Sequence, residues 1–158
     1  MPPSTGTTSR RRTAPGSRLI YRDFLAVYGS GDIDGMLAVF APSADPSTPS
    51  RRTSRLPADL LDLPEVDEWN DPLHAERHGP ADIMVWGETA EADVLGWITS
   101  SHEPDTWPVA VYPHGGAWTV HDCTMTAFLL RFLTGEFNGN PTGLTCLFGK
   151  GAAEFGAD

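Results

Sequence analysis

At 158 residues with 40% apolar side chains, the chain has the length and composition of one domain with a real core. Its formal charge of −10 is unevenly held: residues 1–55 carry eight Arg and four Asp, net +4, whereas residues 56–158 carry three basic and seventeen acidic residues, net −14. A strongly acidic folded part argues against nucleic acid or an anionic membrane as partner and suits a cationic protein.

Residues 1–16 hold Pro, Ser, Thr, Gly and Arg with no apolar side chain larger than Ala after Met1, so they read as a disordered tail. Arg10-Arg11-Arg12 lacks the apolar segment an export signal needs, and no run reaches the roughly 20 apolar residues of a membrane-spanning helix. The expected location is the cytoplasm. From Ser17, Tyr21, Phe24, Leu25 and Tyr28 fall on one helical face that Gly29 closes. Ile33 to Phe40 has the composition of a strand, and residues 42–55 read as a polar surface loop. A helical stretch opened by Pro57 turns Leu60 and Leu61 inward, with Val66 and Trp69 as further candidates, and Pro64 must kink or divide it. Asn70 to Pro80 is polar and reads as irregular.

The pattern-rich stretch runs from Ile83 to Phe137. Ile83–Gly87, Asp93–Ile98, Trp107–Tyr112 and Trp118–His121 are short Val-, Ile-, Trp- and Tyr-bearing runs bounded by Gly, Pro or Asp, the form of antiparallel strands joined by hairpins. Gly115-Gly116 suits a tight turn. Beyond Asp122 the period lengthens, and Met125, Phe128, Leu129, Phe132 and Leu133 share one helical stripe that begins at an Asp122 or Thr124 cap and stops at Gly135. A sheet with one apolar face should bury that stripe. Pro141 to Phe148 fits a short strand or a docked arm, and residues 149–158 read as a loose tail.

Tyr21-Arg22-Asp23-Phe24-Leu25, Tyr28-Gly29, Trp86-Gly87-Glu88-Thr89, Asp93 to Trp97, Trp107-Pro108-Val109 and Phe128 to Glu136 together resemble the SUKH superfamily, over residues 19–137 and in that family's order. The family includes a yeast cell-wall-synthesis regulator and many bacterial immunity proteins that neutralise secreted polymorphic toxins. The resemblance implies a single α+β domain, here residues 17–148, with a mainly antiparallel sheet packed by helices, no cofactor and no catalytic residues. Family members usually carry a Leu-Pro pair before the first helix, where this chain has Ser17-Arg18-Leu19-Ile20. An immunity protein binding a cognate toxin, such as a nuclease with a cationic cleft, is the first reading. A regulatory adaptor for a housekeeping or signalling protein is the alternative.

The residues themselves give little catalytic signal. His74 and His78 lie one helical turn apart but lack the zinc-protease Glu placement, so they read as surface histidines rather than metal ligands. His121 and Cys123 read as structural, with Cys123 a buried inert thiol, and the two cysteines fit neither a disulfide framework nor a zinc motif. Ser100, Ser101, His102, Glu103 and Asp105 are neighbours in one turn and not a hydrolytic triad. No nucleophile or acid–base constellation remains, which disfavours a hydrolytic enzyme. Trp97, Trp107 and Trp118 read as core. The candidate partner contacts are Glu88, Glu91, Asp93, Glu103 and Asp105 on loops and strand ends, with Trp69 and Trp86 available if they lie at an edge.

Overall fold

The computed structural model describes residues 17–42, 53–99 and 107–158. Helix α1 (Ser17–Tyr28) leads into strands β1 (Gly31–Ile33), β2 (Leu37–Val39) and β3 (Ser54–Arg55). A short α2 (Ala58–Leu61), a 3₁₀ turn at Pro64–Asp67, α3 (Pro72–Arg77) and a second 3₁₀ turn at Pro80–Asp82 follow. Strands β4 (Ile83–Thr89), β5 (Val94–Ile98), β6 (Val109–Tyr112) and β7 (Thr119–His121) precede α4 (Met125–Thr134), and β8 (Phe155–Ala157) ends the chain. Among the described residues the fold is α+β: one mostly antiparallel sheet of eight strands with few helices. Its order is β7-β6-β5-β4-β2-β1-β8, with β3 also on β4. Strand β4 is central because one edge divides its length, giving Met84 and Val85 to β3 and Gly87–Thr89 to β2, while the other edge pairs with β5.

Both faces of this sheet carry an apolar cluster, the second over part of its area, which corrects the expectation of a single apolar face. On one face Leu37, Val39, Trp86, Leu95, Trp97, Val109 and Val111 pack against α4 and the C-terminal arm. The other face gathers Phe40, Leu56, Val66, Ile83, Val85, Ile98, Tyr112 and Trp118. Hence β6 is buried at all four positions and shows no apolar/polar alternation.

Helix α4 forms as its stripe demands. The Thr124 hydroxyl accepts from Ala127 N at 3.2 Å, and Gly135 closes the helix at φ 72°, where a Cβ would be strained. Met125, Phe128, Leu129 and Phe132 are buried, each contributing about 1.5–3 kcal/mol, so packing outweighs the roughly 1 kcal/mol of a cap. Helix α1 lies against α4 through Phe24 and Leu25; the side chain of Tyr21 is outside what is described.

Several local readings need correction. Ile33 to Phe40 is a β1–β2 hairpin and not one strand, because Asp34 and Gly35 both take positive φ (49° and 67°) and reverse the chain. Within Asn70 to Pro80, Asp71 caps α3 by accepting from Leu73 N at 2.9 Å, with Pro72 at the first helical position. Pro64 divides its stretch as expected, but Leu61 is 45% exposed while Val66 is buried. Residues 149–158 are not loose. Strand β8 pairs with β1, Phe155 packs on Phe24 and Tyr28, and the Asp34 carboxylate accepts from Lys150 Nζ at 2.6 Å and Glu154 N at 2.7 Å. Those two donors hold the Asp34 carboxyl below its usual range, Lys150 contributing more. The 141–148 segment is a docked arm with Leu144 and Leu147 in the core. The tail 1–16, most of the polar loop (43–52) and the 100–106 turn, which holds Ser100, Ser101, His102, Glu103 and Asp105, lie outside the described residues.

Candidate functional site

A cleft opens over the second face of the sheet. It begins with an irregularity in β4: Val85 pairs with Gly96, but Gly87 pairs with Leu95, so Trp86 is an extra residue. In an uninterrupted strand Glu88 would share a face with Trp86. The bulge shifts that alternation by one residue. Trp86 goes into the α4-side core, and Glu88 joins Val85 on the opposite face, lining the cleft.

The sheet register then builds a row across five strands. Asp32 pairs with Ala38, Ala38 with Glu88, Glu88 with Val94, and Val94 with Tyr112. All five line the cleft. With neighbouring strands about 4.8 Å apart, Asp32 and Glu88 stand roughly 10 Å apart along the row, and Glu88 and Tyr112 about the same. Phe40 adds to the floor, while Asp59 and Leu60 of α2, with Leu63 and Glu65, form a wall. The cleft has a volume of about 1040 Å³. Asp32, Asp59, Glu65 and Glu88 contribute four carboxylates, and among the described lining residues there is no Lys or Arg. Asp59, Glu65 and Glu88 make no ion pair or hydrogen bond through their carboxylates among the described residues. Burial raises the Tyr112 phenol above its usual pKa, and the charges of Glu65 and Glu68 raise it further. The cleft therefore offers carboxylates over an apolar, aromatic floor, a combination that suits cations with aliphatic stems.

The candidate contacts divide sharply. Glu88 is exposed and lies in the cleft; Glu91 is exposed but outside it. Asp93 is fully buried, a correction of its surface placement. Its carboxylate accepts from Thr89 Oγ1 at 2.6 Å, His114 N at 3.0 Å and Gly143 N at 3.0 Å, so its role is to tie the β4–β5 turn to the β6–β7 turn and the C-terminal arm. Trp86 is also fully buried and not at an edge, because β2 and β5 flank β4. Trp69 is half-buried, stacked on Trp118 with centroids 5.7 Å apart, outside the cleft. The Trp118 indole donates to Val66 O at 2.8 Å, and residues 68–70 bond the strand edge at Trp118, fixing the wall. Glu103 and Asp105 lie outside the described residues. Asp32, Asp59 and Glu65 were missed. Glu65 and Asp59 sit on a wall whose position depends on the distant Trp118 contact, and Asp32 was hidden by reading β1–β2 as one strand.

The remaining titratable groups are structural in their surroundings. His74 and His78 stack with centroids 6.1 Å apart, and His78 also abuts Trp69 at 6.0 Å. Among the described residues no group of three or more His, Cys, Asp or Glu is placed to hold a metal ion. Burial pushes the half-buried Cys123 thiol up, so it is a poor nucleophile. His121 lies between Phe128 and Phe137 at 5.4 and 5.0 Å. Burial lowers its pKa, Arg131 lowers it further, and burial likewise lowers that of His78. The neutral rings fit the fold, so their stabilising effect is present above the unfolded pKa of about 6.5 and is lost as pH falls through the lower folded values. The melting temperature should therefore fall between pH 8 and pH 5, less steeply in His121→Phe; equal pH slopes for variant and parent would remove His121 from this account.

Fold and cleft together define an α+β domain with an acid-rimmed concave surface on the part of the sheet's second face that stays open. No family model, curated protein or solved structure matches the chain. Among the described residues no helix is long and apolar enough to cross a membrane.

Proposed function

We propose that the chain is a SUKH-like, non-catalytic protein-binding domain that neutralises a cognate bacterial toxin in the cytoplasm by presenting this cleft to a cationic surface. The supporting observation is the set of four carboxylates, with no Lys or Arg, among the described residues that line it. A nuclease must carry cations where it holds phosphates, and an acidic concave surface competes for them. Charge of this kind accelerates encounter, lifting association rates from about 10⁵–10⁶ towards 10⁸ M⁻¹s⁻¹ at low salt, while the apolar floor slows dissociation. The proposed contacts are Glu88, Asp32, Asp59 and Glu65, which line the cleft, whereas Asp93 and Trp86 are buried where no partner reaches them.

The test is protection. Co-expression of the chain with the toxin domain encoded beside it should restore growth, and the purified pair should associate more slowly as salt rises. Charge reversal at Glu65 and Glu88 should slow association, whereas reversal at Glu91 should leave most of the rate intact. Growth arrest that persists beside every neighbouring toxin domain, with no complex formed, would overturn the reading.

A further inference from the structure

Five rings run in contact from the surface into the sheet. Between centroids, His74 stands 6.1 Å from His78, His78 6.0 Å from Trp69, Trp69 5.7 Å from Trp118 and Trp118 5.1 Å from Tyr112. The inner end of this ladder is fixed, since Trp118 and Tyr112 are buried and the segment bearing Trp69 is bonded to the strand edge at Trp118 through Val66 O, Glu68 O and Asn70 N. The same segment carries Leu63 and Glu65, part of the cleft wall. The outer end is held by less. Helix α3 has six residues, none of them buried, and its C-terminal cap, His78, joins it to Trp69.

His78 is the rung at which charge matters. Its Nδ1 is closed off from solvent and has no hydrogen-bond partner among the described residues. A neutral ring can keep its single proton on Nε2, but an imidazolium must carry an N–H on Nδ1 as well, and a buried donor without an acceptor is unfavourable. Trp69 offers little in return, since its centroid stands at about the 6 Å limit within which a ring face attracts a cation. Burial holds the His78 pKa below its usual value. Of the charges that face the ring, Asp82 attracts an imidazolium, but its Oδ2 already accepts from Gly79 N at 2.9 Å. His74, whose Nδ1 lies 4.0 Å from Asp71 Oδ2, and Arg77 both oppose one.

We propose that His78 is a pH-operated latch on the cleft wall: protonation drives its ring off Trp69, frees α3 and loosens residues 63–70 from the Trp118 edge. The latch is closed above a pH of about 6.5, where a solvated imidazole is neutral, and opens as pH falls through the lower value of the seated ring. Opening displaces Leu63 and Glu65, so the cleft loses part of a wall while the opposite face keeps its packing on α4. The device acts in the free chain and does not rest on the protein-binding reading.

The experiment is an NMR titration of the full chain from pH 8 to pH 5. The imidazole C–H signals of His78 should give a midpoint below about 6.5, and the indole N–H signals of Trp69 and Trp118 should shift with that same midpoint. The methyl signals of Leu37, buried on the opposite face, should stay in place, which separates opening of the latch from unfolding. His78→Phe, which keeps a ring on Trp69 without a titratable nitrogen, should hold both indole signals constant over the range. His74→Phe should move the midpoint up by about half a pH unit, the effect of removing a unit charge about 6 Å away in water. Should His78→Phe fail to fold, the coincidence of midpoints in the parent and their joint shift in His74→Phe carry the same decision. Indole signals that stay constant while His78 titrates, or that still move in a folded His78→Phe, would overturn the latch. So would Leu37 signals that move together with the indoles, since the whole domain would then be unfolding. A His78 midpoint above about 6.5 would also overturn it, because Trp69 and Asp82 would then be holding the imidazolium and protonation would tighten the contact.

Discussion

Asp93→Ala should remove about 3–5 kcal/mol of stability, most of what a domain with a total of roughly 5–15 kcal/mol can lose and still fold. The carboxylate is 0% exposed and takes hydrogen bonds from Thr89 Oγ1, His114 N and Gly143 N. Deleting it strands three donors out of water, each at a cost of about 1–3 kcal/mol unless the turns open to let water in. Two of the three come from segments 21 and 50 residues away, so loss of the acceptor loosens the β6–β7 turn and the C-terminal arm together. Asp93→Asn keeps one acceptor oxygen and should cost less, about 1–2 kcal/mol, because its amide must replace an acceptor with a donor. Urea denaturation midpoints check this, with Glu91→Ala as the exposed neighbour expected to stay within about 0.5 kcal/mol of the parent. A midpoint for Asp93→Ala as close to the parent as that of Glu91→Ala would refute the tie.

The same residue shows where sequence reasoning stopped. Asp93 precedes a strand and follows Glu91-Ala92, which locally is the description of a surface acid; only Gly143, brought in by the C-terminal arm, makes it a buried one. What was legible was local. The β4 to β7 hairpins and α4 carry their own turn residues, alternation and caps within a few positions, so Gly135 and Thr124 do what their types predict. The turn at Asp34-Gly35 was also written locally, but the flanking strands are three residues each, too short for alternation to separate one strand from two. Strand β8 had no such signal: Phe155-Gly156-Ala157 is weak in β-propensity and becomes a strand because β1 offers it a free edge and α1 offers Phe155 two rings.

The cleft was half legible for a related reason. Glu88 was chosen as an acid beside a tryptophan, and both residues were expected on the outside. The bulge separates them, sending one to each face. A Trp-Gly pair within a strand is a usable sign of such a bulge, since Gly is the residue that tolerates a close crossing: a Cβ at Gly87 would stand 2.8 Å from Ala38 O. Once that shift is made, Ala38, Glu88, Val94 and Tyr112 fall into one row by register alone. The wall is different in kind, since Val66 O must find the Trp118 indole before Glu65 and Asp59 have a position.

Trp86 gives the second large effect and tests its burial in the α4-side core. Its ring is fully buried, with Trp97 at 6.1 Å and the edge of Phe128 at 6.3 Å, so Trp86→Ala should cost about 3–5 kcal/mol through lost burial and the cavity left behind. Its Nε1–H, however, is buried without an acceptor among the described residues. Trp86→Phe removes that orphan donor, which relieves about 1–3 kcal/mol, and gives up part of the ring volume, which costs a similar amount. The two substitutions should therefore separate widely, with phenylalanine within about 1 kcal/mol of the parent and alanine far below it. A partner-contacting indole on an edge would give the reverse order of consequences: an unmoved denaturation midpoint for Trp86→Ala and a loss confined to binding. Trp86 shares its face with Met84 by ordinary alternation, so such a result would place the indole outside the α4-side core, whereas the position of Glu88 in the cleft depends on the bulge that follows.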